Sequence, residues 1–200
     1  EFLLAEDRTA RTGPLADALA ADPPWLLWTL VSAAGKGRQP PWTVSGAAHW
    51  LAGNILDALL GVGELDGPSS SAGSDSADFS DLVFESFEVS HLAAALVSKE
   101  STAARDSAWL GGLLHNAAAW FARSAVAGVK AVPEALARWL ASRPGEVAGG
   151  IARAVAIVAG EQHAPELEGD VAAAREFAGR ATQAWAATTS GWSVPLPVLA

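Results

Sequence analysis

The sequence predicts an all-α fold, and three observations carry the prediction. Apolar residues, chiefly Ala, Leu and Val, recur at intervals of three and four rather than two. No segment shows the alternation of a half-buried strand. Asp, Thr, Pro and Gly stand where helix ends call for them. With 200 residues, half of them hydrophobic, the chain can bury one substantial core, and a single compact unit is expected.

Asp22-Pro23 starts the first expected helix, because Asp caps free amides and Pro at the first helical position gives up no hydrogen bond. Leu26, Leu27 and Leu30 form its stripe, and Gly35 ends it. A basic, Pro-containing connection over 35–41, carrying Lys36 and Arg38, leads to a helix capped by Thr43 and running to Ala52. Gly53-Asn54 is expected to break that helix before a short one through Leu60. Residues 15–60 thus predict a smaller N-terminal helical lobe.

From Gly61 the composition turns to Gly, Ser, Asp and Pro, which predicts an exposed flexible loop over 61–80; Gly61-Val62-Gly63 follows no strand and is a turn signal, not a nucleotide fingerprint. A larger helical lobe is expected over 81–187. Its first helix runs from about Asp81 to Ser98, with Phe84, Phe87 and His91 on one face and Val89, Leu92 and Leu96 on another. A second, from about Thr102 to Arg123, aligns Leu110, Leu113, Leu114, Ala117 and Phe121. Gly111, Gly112, Ala118, Ala119 and Ala122 leave its other faces bare enough for close helix approach, so this helix is expected to be central. Pro133 opens a helix holding Leu136, Trp139 and Leu140, and Arg143-Pro144-Gly145 ends it. Val147, Ile151, Val155 and Val158 mark the next, before Gly160. Asp170 is expected to cap the last, where Val171, Ala174, Ala178, Ala181 and Trp185 share one side, and an irregular tail is expected over 188–200.

A formal charge of −9 offers no broad basic surface to phosphates, so a nucleic-acid partner is not expected, and a protein or a small ligand is. The absence of cysteine excludes disulfides and thiolate metal sites, leaving His and carboxylate as the only ligand types. No apolar run reaches the roughly 20 residues that span a bilayer, and Glu1 to Arg11 lacks the basic and apolar regions of a signal peptide, so a cytoplasmic location without membrane contact is expected.

Three ordered strings resemble one family. Phe87-Glu88-Val89-Ser90-His91-Leu92-Ala93-Ala94 is similar to an aromatic-x-His-Ser-x-x-x-Ala helix, and Gly112-Leu113-Leu114-His115-Asn116 to a following "GLLHDIG". Leu136 to Leu140 with Pro144 and Val147 is similar to "LL..W.LP..V". Asp22 to Leu30 and Val44 to Gly53 add weaker matches. Together, over roughly Leu15 to Ala187, they resemble the HDOD family, noncatalytic relatives of the HD metal phosphohydrolases. The resemblance implies a multi-helix HD-like bundle and a bacterial signal-transduction role, exercised by binding a signalling protein or small ligand.

It also implies a degraded metal site, occupied by no metal or other cofactor and catalysing nothing. An active HD centre converges His and Asp groups on a cation that generates hydroxide. Aligned on the family, the first His falls on Val89, and His91 lies two positions on, about 200° around the helix. The His-Asp pair is represented by His115-Asn116, whose amide lacks the charge that offsets a divalent ion. The last Asp falls near Arg175, whose fixed positive charge repels one. The vestigial pocket or ligand-binding residues implied are therefore Ser90, His91, His115, Asn116 and Arg175. Each also has a structural role open to it: a hydrogen bond for His115 and Asn116, a core or groove wall for His91. Ser90-His91 is not a nucleophile–base pair, since adjacent helical residues point apart. Trp25, Trp28, Trp42 and Trp50 fit a core or an aromatic surface, His49 and His163 the surface, and the acidic stretch Glu161 to Asp170 a solvated connection. A different class remains as the alternative: a residual metal-dependent phosphohydrolase acting on nucleotides or cyclic dinucleotides, with His115 joined by Glu85 or Glu88.

Overall fold

In the computed structural model, residues 8–35, 43–60, 76–97, 101–122 and 134–190 are described. Among them the fold is all-α, in the order α1 (Arg8–Ala20), α2 (Pro23–Gly35), α3 (Val44–Leu60), α4 (Ser76–Leu96), α5 (Thr102–Leu113), α6 (Ala117–Ala122), α7 (Glu134–Ala141), α8 (Gly145–Val158) and, after a 3₁₀ turn at Pro165–Leu167, α9 (Glu168–Ser190). No described helix is long and apolar enough to cross a membrane.

Several boundaries form as the residues require. The Asp22 carboxylate accepts from the Trp25 amide at 3.2 Å, capping α2, and the Thr43 hydroxyl accepts from the Gly46 amide at 3.0 Å, capping α3. Gly160, at φ +74°, stands just past α8 in the left-handed conformation that favours glycine.

Elsewhere the structure corrects the expectation. A helix, α1, precedes Asp22 and buries Leu19. Gly53 does not interrupt α3, since a single exposed glycine weakens a helix by about 1 kcal/mol without forbidding it. Residues 76–80, expected in the loop, already belong to α4; the rest of that loop and the 36–41 connection lie outside the described residues. Residues 114–116 split the expected 102–123 helix into α5 and α6. The last helix starts at Glu168, led in by the 3₁₀ turn, so Asp170 lies inside its first turn and is not its cap. Thr188 to Ser190 continue α9, where a tail was expected, and 191–200 lie outside the described residues.

The helix at the centre is α4, which lies against α5, α8 and α9. Residues 82, 83, 86–90, 92 and 93 are all buried, so α4 is covered almost all round. Its first half joins Leu26, Leu27, Leu30, Leu110, Leu114 and Leu136 in one buried cluster. Its second half joins Ala108, Val147, Ile151 and Ala174 in another. The N-terminal helices thus share a core with α4, α5, α7 and α9.

Two glycines set how closely the neighbours approach. A Cβ on Gly112 would lie 2.7 Å from the Ser90 Cα, so α5 crosses α4 backbone to backbone. A Cβ on Gly150 would lie 2.9 Å from a Val97 methyl and 3.6 Å from the Ala93 carbonyl, where α8 crosses the same helix. Gly112→Ala is expected to destabilise the fold by about 1–3 kcal/mol, because backbone cannot move aside as a side chain can. Gly149→Ala, on the exposed side of α8 with nothing within 4 Å, is expected to stabilise it by about 0.5–1 kcal/mol. Urea unfolding of the two variants checks both signs.

Asp22 carries a further expectation. Burial pushes its carboxyl above the ordinary carboxylate range, opposed by hydrogen bonds from the Trp25 amide and the Trp185 side chain. A raised value in the folded state means that stability from this group is present at low pH and is lost as pH rises and the buried carboxyl ionises. Asp22→Asn keeps a cap and cannot ionise, so its melting temperature at neutral pH should match or exceed the parent's, while Asp22→Ala should lose about 1 kcal/mol. Calorimetry across the acid range separates the two.

Candidate functional site

The candidate site is laid out along α4. Glu85, Glu88 and His91 are spaced three apart, each turned about 60° short of a full turn from the one before, so the row winds around the helix and meets a different neighbour at each step. Glu85 faces the break between α5 and α6. Its Oε1 accepts from the Asn116 amide group at 2.9 Å and stands 3.3 Å from the His115 Nε2. On the other side of that ring, Nδ1 is 2.6 Å from the Gly112 carbonyl oxygen, which can only accept, so Nδ1 carries a proton. The Nε2 contact is then a hydrogen bond when the ring holds its second proton, and otherwise a lone pair facing a carboxylate. The His115 side chain is 8% exposed and that of Glu85 46%.

One turn on, Glu88 is buried, and its Oε1 accepts from Arg175 Nε on α9 at 2.8 Å. The carboxylate side chain is 5% exposed and the guanidinium side chain 62%, so the arginine closes the pair against solvent. Ser90 is fully buried beneath Gly112, with its hydroxyl donating to the Phe87 carbonyl at 2.9 Å. His91 stacks on Phe177 of α9, centroids 4.8 Å apart at 25°. Burial holds its pKa below the ordinary histidine value; Asp170 opposes that shift and Arg180 adds to it.

The five residues named from the sequence therefore do not converge on one pocket. His115 and Asn116 share Glu85, Arg175 belongs with Glu88, Ser90 is turned into its own helix, and His91 belongs with Phe177. Two open grooves receive two of them. One, of about 440 Å³ between the α8–α9 connection and α9, is lined by Arg175, His163, Gln162 and Val171. The other, of about 390 Å³ between α4 and α5, is lined by His91, Ala94, Arg105, Asp106 and Trp109. Glu85 and Glu88 had been legible only as candidate ligands of a metal. Phe177 and Trp109 carried no signal in the sequence beyond an aromatic residue on a helix.

Chemically, the arrangement is one of paired groups. Among the described residues no cluster of three or more His, Cys, Asp or Glu side chains is placed to hold a metal ion. Compared with family models, curated proteins and solved structures, the chain matches none.

Two expectations follow. Arg175→Ala leaves the buried Glu88 carboxylate without its cation; because the guanidinium is largely exposed, the expected loss is about 1–2 kcal/mol, less than for a fully buried pair. Adding Glu88→Met should recover most of it, as read by urea unfolding. For His91, a folded-state value below the ordinary one means that the unfolded chain takes up the proton first, so its contribution to stability is lost as pH falls from roughly 7 towards 5. His91→Phe keeps a ring against Phe177 and should flatten that part of the melting-temperature profile.

Proposed function

We propose that this chain is a noncatalytic regulatory module of HDOD type, which works in bacterial signal transduction by binding a signalling protein or a small ligand. The observation that carries the reading is the Glu88–Arg175 pair: where the resemblance aligns the last acidic ligand of an HD centre, α9 presents a guanidinium, and the nearest buried carboxylate is committed to it. A hydrolytic centre needs several ligands converging on a cation with one position left open. Here the Glu85 and Glu88 carboxylates on α4 are engaged with protein groups instead. The grooves beside His91 and Arg175 supply open surface for a ligand.

A second reading, a metal-dependent phosphohydrolase acting on nucleotides or cyclic dinucleotides, is favoured by one observation. Glu85 brings a carboxylate to His115, restoring the charge that Asn116 lacks. Elemental analysis of the purified protein, with phosphatase and phosphodiesterase assays on nucleotides and cyclic dinucleotides, separates the two. The regulatory reading expects no stoichiometric divalent metal and no turnover, while a ligand of the grooves raises the melting temperature in proportion to the logarithm of its concentration. Stoichiometric metal with turnover abolished by His115→Ala overturns it.

A further inference from the structure

Residues 114–116 interrupt a stretch that the sequence would carry through as one helix. Leu110, Leu113, Leu114 and Ala117 lie in the same buried cluster, at the spacing of a single uninterrupted helical face, so burial does not require the break. Polar contacts do. The His115 amide reaches the Gly112 carbonyl and the Ala117 amide the Leu114 carbonyl, each three residues back instead of four. The His115 ring also occupies the Gly112 carbonyl at 2.6 Å, which in an unbroken helix would accept from the Asn116 amide. From α4, a single carboxylate oxygen of Glu85 accepts from the Asn116 side chain and faces the His115 Nε2, both within the break.

We propose that the α5–α6 break is a two-state hinge held in its broken form by Glu85. In the broken form the His115 ring caps α5 at the Gly112 carbonyl and α6 starts afresh at Ala117. When the Glu85 contact is lost, the ring leaves the Gly112 carbonyl, the Asn116 amide takes its place, and 102–122 becomes one helix with its apolar face still on the core. The restraint lies within reach of solvent, since the Glu85 side chain is 46% exposed, and so a group outside the chain can compete for it. The hinge concerns the conformation of this segment alone and stands whichever functional reading holds.

Three proteins test it: the parent, Glu85→Ala and Glu85→Gln. The readouts are 13Cα chemical shifts at Leu114, His115 and Asn116 and hydrogen exchange at the Asn116 amide. Glu85→Ala is expected to move the shifts to helical values and to slow exchange on the order of tenfold as the new helical bond forms. Glu85→Gln keeps an acceptor oxygen and should stay with the parent. Parent-like values in Glu85→Ala overturn the proposal, because burial would then hold the break. Coil values at these residues, from local fraying or from unfolding of the whole variant, overturn it equally, because Glu85 would then be a structural prop and not the setting of a hinge.

Discussion

Much of this structure depends on how closely α5 and α8 can approach α4. A helix buried nearly all round must offer each neighbour a face, and at Gly112 and Gly150 the neighbours have no side chain to keep them off. Dispersion falls steeply with distance, so a gap of even half an ångström along such a crossing would forfeit a large part of the attraction. The same approach places the His115 ring, which lies on the Gly112 carbonyl, where Glu85 can reach it. Packing and site geometry are consequences of one contact.

Burial of α4 also explains how its polar residues behave. Ser90 satisfies its hydroxyl within the helix, and Glu88 is neutralised by an arginine that arrives from 87 positions away in the chain. An unpaired carboxylate in that setting would cost stability, so the pair is a condition of placing an acid there, whatever else it does. His91, further along the same row, meets the cost differently: it stays neutral more readily and stacks on a ring.

The candidate site consists of paired polar groups and open surface. Its carboxylates already have partners, and open grooves lie beside Arg175 and His91.

The all-α class, the caps at Asp22 and Thr43, the stop at Gly160 and the apolar faces of α2, α4, α8 and α9 were legible in the sequence, because each depends on residues within one or two turns of each other. The candidate site was legible only as residue types. That Glu85 fastens His115 and Asn116, that Arg175 covers Glu88 and that His91 lies on Phe177 are pairings across distant parts of the chain, and no local pattern encodes them. The same limit accounts for the helix break at 114–116 and the continuity of α3 through Gly53. Local propensity differs by about 1 kcal/mol between the options, and tertiary hydrogen bonds and packing of equal or greater size decide. What the sequence determined by itself was where helices can form and which faces must be buried; only the tertiary structure decided which polar groups meet, because their partners are chosen by the crossing of helices.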